Sequence, residues 1–432
     1  MNNARETALK ILYKINTEGA YSNIALKDEL AKAGLDSRDN AFVTNLVYGV
    51  ISRKLTLDYV IKKYSSVKLK KLSVFVHEIL RIGVYQIFFM DKVPDSAAVN
   101  ECVKLANKYA KRSSGFINGV LRSVIRGGDI LSDVSDLTVK YSFPEDICNV
   151  FIRDMGKDKA KNVMDALNSQ ATMTIRANSL KTNTEELVKT LGESAEIIED
   201  VPYAVKVSGL DVSGSDLYKK GFYTVQGISA MLSVMALDVK PGQSVIDMCS
   251  APGGKTSYIA ELMNNDGEIR AFDIHPHKID IIEKNMERLG IDIVTAACFD
   301  GTTPIERLKN SADKIIADVP CSGLGIIQKK PDIKWAFTPS ELNIIQKKIL
   351  KNAASYLKPG GELVYSTCTI NKQENEDVVN EFLSQNKDFE LMDFSTLLPQ
   401  RFRKDTTEYL TLYPDTDKTD GFFIAKIRRK QN

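Results

Sequence analysis

Residues 244–263, SVIDMCSAPGGKTSYIAELM, decide the fold of the C-terminal part of the chain. An apolar run ends at Met248, a turn with two glycines follows, and an apolar helical pattern begins near residue 256. A strand that passes through a glycine turn into a helix is typical of open α/β sheets, which bind ligands at the carboxyl ends of their strands. The turn is not a Walker loop, because Cys249 stands where GxxxxGK[ST] requires glycine, and the GxGxxG spacing of dinucleotide sites is also absent.

Strand and helix patterns alternate throughout residues 221–432. Apolar segments continue with IRAFD, DIVTAA, DKIIAD, GELVYS and GFFIAKI, and helical patterns begin near residues 277, 340 and 373. This alternation predicts a mostly parallel, doubly wound sheet, a Rossmann-like α/β domain over residues 221–432.

Two further domains are predicted upstream of the sheet. Residues 1–135 are expected to be all-α, because apolar residues recur at helical spacing, for example at Ala8, Ile11, Leu12 and Ile15. The polar stretch GGDILSDVSD at 127–136 interrupts that pattern and indicates a linker. Residues 141–220 hold shorter segments, with TIRAN, AEIIED and YAVKVSG as strands, and are expected to form a small α+β domain.

Charge is distributed unevenly along the chain. The 432 residues are 43% hydrophobic and 26% charged, with a net charge of +2, which excludes a disordered composition. Residues 1–140 contain 22 Lys and Arg against 14 Asp and Glu, a net charge of +8, whereas the remainder carries 36 against 42, a net charge of −6. A basic N-terminal third suits an anionic partner such as nucleic acid, although a solvated helical face without a partner explains the charge equally well.

The cysteines and apolar runs exclude several classes of protein. The chain has three histidines and six cysteines with no CxxC pair, so neither a zinc site nor a disulfide framework is indicated, and no metal is expected. The longest apolar run, residues 82–90, is far shorter than the ~20 residues of a membrane-spanning helix. We therefore expect a cytoplasmic protein from a reducing compartment, without a membrane partner.

A nucleoside cofactor is predicted at the glycine turn. Gly253 and Gly254 allow the backbone to approach a ligand, and Asp273 ends the next strand, where a carboxylate can accept hydrogen bonds from both ribose hydroxyls. Asp300 and Asp318 follow later strands at the same sheet edge. The alternative is that these acids only cap helices.

Two cysteines follow neighbouring strands of the predicted sheet. Cys321 comes after the fourth strand and Cys368 after the fifth, so both thiols can face one cleft, although a single cysteine is more often a small buried apolar residue. Methylation of a pyrimidine at carbon 5 requires such groups, because a thiolate that adds to carbon 6 makes carbon 5 nucleophilic and a base must later remove the carbon 5 proton. Lys255 is a candidate for stabilising the thiolate. The pattern does not show which cysteine is the nucleophile and which one assists its release.

These motifs resemble a known family, the S-adenosylmethionine-dependent RNA cytosine-5 methyltransferases of the Nop2/Sun group. The resemblance rests on motifs in the family's order, namely DMCSAPGGKT, DVPCSG, PDIKW (Pro331 to Trp335) and YSTCTINKQENE. In the N-terminal part, FVTNLVYGVISRKLTLDYVI, ILRIGVYQIFFMDKVPDSAAVNECVKLA and GFINGVLRSV resemble the helical RNA-binding domain of the NusB antitermination factor. The fusion covers nearly the whole chain and implies the bacterial branch that acts on small-subunit ribosomal RNA.

The resemblance also implies roles for individual residues. Asp273 would hold the ribose hydroxyls, Asp300 would lie beside the adenine, and Asp318 would lie near the methionine amino group and the target base. Cys368 would be the nucleophile and Cys321 would assist elimination, whereas DNA cytosine methyltransferases use the cysteine of the PC motif as nucleophile. S-adenosyl-L-methionine would be cradled by Cys249, Ser250, Ala251, Pro252, Gly253, Gly254 and Lys255.

The resemblance implies 16S ribosomal RNA or a small-subunit assembly intermediate as partner, no DNA, and by default a monomer. Alternatives are the same chemistry on tRNA or 23S rRNA, an RNA-binding assembly factor without turnover, and a small-molecule or protein methyltransferase, which would not need a basic N-terminal domain.

The sequence departs from the family at Gly227, where an acid is common, at Val319, where Ala is frequent, and at Gln328 to Lys330, where Arg is usual before the PDIKW motif.

Overall fold

The computed structural model describes residues 4–338, 341–403 and 407–431. In these ranges the chain forms two compact units, one made of the chain up to Ser169 together with Ile327–Thr338, and one made of Gln170–Ile326 and the later residues. None of the helices in the described part of the chain is long and apolar enough to cross a membrane. The same ranges contain no cluster of three or more side chains suited to hold a metal ion.

The first unit is helical throughout its described residues, as the sequence predicts. Helix α5 lies at its centre and is buried around most of its circumference, because apolar residues recur on most faces of its sequence VFVHEILRIGVYQIFF. The helices are α1 (Ala4–Glu18), α2 (Ser22–Ala33), α3 (Ser37–Ser52), α4 (Lys54–Tyr64), α5 (Val74–Phe89), α6 (Asp95–Tyr109), α7 (Ser114–Gly127), α8 (Leu137–Tyr141), α9 (Glu145–Met155) and α10 (Lys157–Leu167).

The helical unit includes residues that lie outside the predicted domain of residues 1–135. Its helices continue to α10, because α9 and α10 are amphipathic and bury Phe151 and Met164. It also contains α16 (Ile333–Ala336), which lies in the PDIKW motif and packs through Trp335 on the core of the unit. The domain boundaries at residues 135 and 220 stay a prediction.

The second unit begins with a small antiparallel sheet, in the region predicted to be α+β. Its strand order is β2-β3-β1-β4, and its core is built on Ile175, Val205 and Tyr223. The elements are β1 (Met173–Ala177), α11 (Thr184–Leu191), β2 (Ala195–Ile197), β3 (Ala204–Val207), α12 (Asp216–Lys219) and β4 (Tyr223–Val225).

A large sheet of order β10-β12-β9-β8-β5-β6-β7 follows, with β11 paired to β12. Strands β9, β8, β5, β6 and β7 are parallel, which confirms the Rossmann-like expectation, whereas β10, β11 and β12 pair antiparallel. The elements are α13 (Ile228–Leu237), β5 (Ser244–Asp247), α14 (Gly254–Leu262), β6 (Glu268–Asp273), α15 (Pro276–Leu289), β7 (Val294–Cys298), β8 (Ala312–Asp318), α17 (Leu342–Tyr356), β9 (Leu357–Thr367), α18 (Glu376–Gln385), β10 (Phe389–Leu391), β11 (Tyr409–Leu412), α19 (Pro414–Asp417) and β12 (Phe422–Arg429).

The parallel register aligns the carboxyl ends of five strands. Asp247 pairs with Ala271 on one side and Ile316 on the other, and Asp318 pairs with Ser366. Because all five strands run in the same direction, the loops that follow them meet at one edge of the sheet. That edge carries the residues singled out by the sequence.

Candidate active site

The turn between β5 and α14 is tied to the neighbouring strand. Ser250 Oγ donates a 2.9 Å hydrogen bond to Phe272 O in β6, and Gly253 caps α14 with a φ of +96°, a left-handed conformation that favours glycine. A Cβ at Gly253 would also approach Met286 Cε at 3.1 Å. The backbone conformation therefore favours glycine at this position, and a larger side chain would in addition have to displace the end of Met286.

Asp247 is a buried carboxylate directly before this turn. Thr256 Oγ1 donates to its Oδ2 at 2.7 Å, and the backbone N–H of Cys249 lies 3.4 Å from its Oδ1. Burial raises the pKa of Asp247 to about 7, against the lowering effect of the Thr256 hydrogen bond. Burial likewise raises the pKa of the Cys249 thiol well above its ordinary value, so Cys249 is a neutral part of the turn. Ala251 and Pro252 complete the turn.

The acids predicted to contact a nucleoside stand at the same edge. Asp273 ends β6 and is largely buried, where it accepts a hydrogen bond from His275 N at 3.1 Å and faces Lys278 Nζ at 3.4 Å. Asp300 lies after β7, and its Oδ1 accepts hydrogen bonds from the N–H and Oγ1 of Thr302 at 2.9 and 2.8 Å. Both carboxylates are thus held in place by their own loops.

Lys255 and Asp318 form an ion pair across the sheet edge. Lys255 Nζ lies 2.6 Å from Asp318 Oδ2, and Ser366 Oγ donates to Asp318 Oδ1 at 2.8 Å. Burial disfavours the charged amine, but the attraction of Asp318 outweighs it, and the pKa of Lys255 is raised. Lys255 therefore stays charged and interacts with Cys368, while the carboxylate of Asp318 balances its charge.

The two predicted cysteines meet after β8 and β9. Cys321 Sγ and Cys368 Sγ are 3.2 Å apart, and both are free thiols at partly exposed positions. The hydrogen bond with Cys368, followed by burial, raises the pKa of the Cys321 thiol well above its ordinary value. The contact and the burial therefore favour the protonated form of Cys321, and either sulfur can be the donor in the contact.

Glu374 joins the two cysteine loops, and the sequence analysis did not identify it. Its carboxylate accepts hydrogen bonds from Ser322 N at 2.8 Å, Ser322 Oγ at 2.6 Å, Asn371 Nδ2 at 2.9 Å and Gln346 Nε2 at 3.1 Å. Ser322 follows Cys321 directly, and Asn371 lies in the loop of Cys368. The carboxylate therefore sets the distance between the loops that carry the thiols.

Arg176 and Gln226 form a second group that the sequence analysis missed. Arg176 is fully buried, with Nη2 2.5 Å from Glu261 Oε1, and its Nη1 donates to Gly254 O at 3.0 Å and to Gln226 Oε1. Gln226 Nε2 is buried without a hydrogen-bond partner and lies 3.9 Å from where a Cβ on Gly254 would stand. An unpaired donor beside a glycine turn is suited to an acceptor group of a ligand.

These residues fit S-adenosyl-L-methionine in three respects. The glycine turn admits close approach to its backbone, the carboxylate of Asp273 stands at the end of the adjacent strand, and the unpaired Gln226 Nε2 offers a donor to an anionic carboxylate.

Comparison with known proteins finds a family match in each half of the chain. Residues 234–428 match the family described as 16S rRNA methyltransferase RsmB/F, and residues 2–126 match the NusB family. Among solved structures, the crystal structure of PH0851 superposes with a TM-score of 0.80 and 26% identity over 98% of each chain. A methyltransferase homologue from Pyrococcus horikoshii superposes with a TM-score of 0.57 and 31% identity, over 68% of this chain and 98% of the other.

Curated relatives match from end to end. A Bacillus subtilis protein named probable ribosomal RNA small subunit methyltransferase B is 35% identical over 99% of this chain and 98% of its own length. A Synechocystis protein of the same name is 34% identical over 99% of this chain and all of its own. Full-length similarity at this level, together with the two domain matches, shows that the chain belongs to the RsmB/F family of 16S rRNA methyltransferases, with a NusB-type N-terminal region.

Proposed function

We propose that the chain transfers a methyl group from S-adenosyl-L-methionine to carbon 5 of a cytosine in 16S ribosomal RNA, through a covalent cysteine adduct at carbon 6. The observation that carries this proposal is the pair of thiols 3.2 Å apart, on the loops after two adjacent parallel strands. An RNA-binding protein that catalyses no reaction does not need two thiols beside the glycine turn that would bind the cofactor. The names of the relatives support small-subunit RNA as the substrate.

The cofactor-binding residues are assigned from the glycine turn outward. Residues 249–255 would cradle the methionine and ribose parts, Asp273 would accept hydrogen bonds from the ribose hydroxyls, and Asp300 would lie beside the adenine. Gln226 Nε2 would donate to the methionine carboxylate, because it is the buried donor beside Gly254 that lacks a partner. When bound, S-adenosyl-L-methionine supplies a methyl group on a positively charged sulfur.

The thiols are assigned to different steps. Cys368 Sγ would add as a thiolate to carbon 6 of the cytosine, which makes carbon 5 nucleophilic. Before attack, the protonated Cys321 would donate a hydrogen bond to the Cys368 thiolate, since its raised pKa favours the protonated form. Once Cys368 is bonded to carbon 6, Cys321 would lose its proton to solvent, and its thiolate would then take the proton from carbon 5 while Cys368 leaves as a thiolate. The ammonium of Lys255 would act on the Cys368 thiolate, and Asp318, its ion-pair partner, would lie near the target base.

The basic N-terminal part would hold the RNA. Its net charge of +8 over residues 1–140 attracts the phosphate backbone without reading sequence. The target cytosine must be unpaired or turned out of its helix, because carbon 6 is inaccessible to a thiol inside a stacked duplex.

The proposal is tested by incubating the protein and S-adenosyl-L-methionine with unmodified 16S rRNA, 23S rRNA or tRNA, followed by mass spectrometry of the digested nucleosides. We expect 5-methylcytidine in 16S rRNA alone and none with Cys368→Ala. Methylation of tRNA or 23S rRNA instead would assign another substrate to the same chemistry. RNA binding with no methylated nucleoside in any substrate would show a non-catalytic RNA-binding protein.

A further inference from the structure

A cavity of about 300 Å³ lies in the helical unit, between α1, α3, α4, α5 and α16. It contains none of the residues assigned above to methyl transfer. Its wall combines aromatic and charged side chains, including Tyr21, Lys54, Glu78, Arg81, Asp332 and Trp335. A small cavity with a few converging polar groups is the usual form of a ligand site.

Glu78 is the polar group that this cavity leaves without a partner. The residue is 1% exposed, and its Oε1 accepts a 2.5 Å hydrogen bond from Arg81 Nη1, but its Oε2 is buried with no donor. Arg81 directs Nε and Nη2 to Asp58, at 2.8 and 2.6 Å, away from Glu78. A buried carboxylate oxygen without a donor is costly, so the cavity wall is suited to a ligand that brings an N–H group.

The aromatic part of the wall consists of one fixed ring and one exposed ring. Trp335 Nε1 donates to Ile51 O at 2.9 Å, which fixes the indole, and Lys54 Nζ lies 5.5 Å from the ring centroid. Tyr21 is 65% exposed, although tyrosine has a large apolar ring. Aromatic rings beside a lysine provide a stacking surface and a cation, the combination that binds single-stranded nucleic acid.

We propose that this cavity binds one unpaired RNA base that carries an amino group, namely adenine, cytosine or guanine. The amino group would donate to Glu78 Oε2, and the ring would lie against Tyr21 and Trp335. A neutral donor fits best, because Lys54 and Arg81 already balance the charges of Glu78 and Asp332 and leave no net charge to attract an ammonium or guanidinium group. Uracil is disfavoured, since its ring N–H lies between two carbonyl oxygens that the carboxylate repels.

The inference goes beyond the proposed function by adding a second place where RNA is held, and it rests on RNA being the partner. A base bound in the helical unit would help to select the RNA segment that is methylated, because phosphate contacts alone carry no sequence information.

Trp335 makes the site directly measurable, because it is the only tryptophan of the chain. The fluorescence of the full-length protein therefore reports on this cavity. Titration with the 5′-monophosphates of adenosine, cytidine, guanosine and uridine, up to about 10 mM, covers the ~1 mM affinity of a weak site for a single base. We expect saturable changes with the three amino-bearing nucleotides and at least about tenfold weaker binding of uridine monophosphate.

Two variants and one control test the assignment. Glu78→Gln removes the charge of the acceptor and should weaken the amino-bearing nucleotides by about tenfold or more. Tyr21→Ala, at an exposed position that does not endanger folding, should weaken all bases by between about fivefold and a hundredfold. Glu101→Gln changes another glutamate with a basic partner three residues later, Lys104, and should leave every titration unchanged.

The outcomes separate this inference from the proposed function, because the same preparation is assayed for RNA methylation. Fluorescence that responds to no nucleotide, or equally to all four, or equally in Glu78→Gln, overturns the inference even if methylation is normal. A normal fluorescence response in a protein that methylates no RNA overturns the proposed function and leaves the base site standing.

Discussion

Asp247 shows how burial changes a single residue at the sheet edge. Its carboxylate is 1% exposed and has a pKa of about 7, so near neutral pH a large part of it carries a proton. The unfolded chain loses that proton near the ordinary value of 3.8. The folded form therefore binds one more proton than the unfolded form between these two pH values, and stability falls as the pH rises through that window.

We predict that Asp247→Asn removes this pH dependence, because asparagine has the shape of the neutral acid and does not titrate. In urea unfolding between about pH 5 and about pH 7, the free energy of unfolding of the wild type should fall relative to the variant by at most ~1.4 kcal/mol per pH unit. Above the folded pKa of about 7 the difference should level off. A difference between the two proteins that stays constant over this range would contradict the prediction.

Glu374 is the residue whose loss should be most damaging to the thiol geometry. Glu374→Gln turns an acceptor-only carboxylate into an amide whose NH2 group faces other N–H donors. We expect the free energy of unfolding to fall by about 2–3 kcal/mol. The matched control is Glu381→Gln, which removes a partly exposed ion pair with Lys347 and should change stability by less than about 0.5 kcal/mol. Equal effects of the two substitutions in urea unfolding would show that Glu374 does not hold the loops.

At the residue scale, the sequence indicated the groups that belong to motifs but not those that support them. Cys321, Cys368 and Asp318 could be found because each directly follows or ends a recognisable strand. Glu374 and Gln226 could not, because Ser322 and Arg176, which bind them, lie 52 and 50 positions away in sequence, and because their burial is a product of tertiary packing.

At the scale of elements, the alternation of apolar segments correctly predicted the parallel strands of the large sheet. Strands buried on both faces appear as short apolar runs, and β8 and β9 are of this kind. The pattern could not show that β12 pairs antiparallel, because direction within a sheet depends on the path of the connection. It also could not show that the PDIKW motif packs with the helical unit, because that placement depends on contacts with residues almost three hundred positions earlier.

Lys334 anchors that motif within the helical unit. Its fully buried Nζ donates to Ser52 O at 2.9 Å, Ser142 O at 3.1 Å and Asn168 Oδ1 at 2.6 Å, and it lies 3.7 Å from the centroid of the Phe143 ring. Burial, followed by repulsion from Arg53, lowers the pKa of Lys334 well below its ordinary value. The amine therefore holds this motif as a hydrogen-bond donor to three acceptors of the helical unit.

We predict that Lys334→Met loosens α16, because it removes a donor from three acceptors, of which Asn168 Oδ1 keeps a hydrogen bond from Ser52 Oγ at 3.0 Å. Hydrogen exchange of the amides in Ile333–Ala336 should become about a hundredfold faster, which corresponds to a loss of about 3 kcal/mol. Lys330→Met, at an exposed position of the same segment, is the control and should leave the exchange unchanged. Equal exchange in the two variants would show that the Lys334 hydrogen bonds do not hold the helix.

At the scale of the whole molecule, the two ends of the chain differ in charge, +8 over residues 1–140 and −6 over the rest. Binding of a 16S rRNA fragment should therefore release counterions and weaken by at least about a hundredfold between about 50 and about 200 mM salt. Charge reversal at Lys62 and Lys63, in the last turn of α4, should reduce this salt dependence, whereas Lys387→Glu should not. An affinity that is constant over the salt range in a filter-binding assay would exclude an electrostatic grip on RNA.

The most direct test of the account is a denaturing gel for covalent protein–RNA adducts. Wild type, Cys321→Ala and Cys368→Ala are each incubated with S-adenosyl-L-methionine and an unmodified 16S rRNA fragment. A stable adduct with Cys321→Ala and none with Cys368→Ala is the predicted result, because the first variant forms the bond to carbon 6 and cannot complete elimination. The reverse pattern would contradict the assigned roles of the thiols, and the absence of an adduct in every lane would contradict the covalent mechanism.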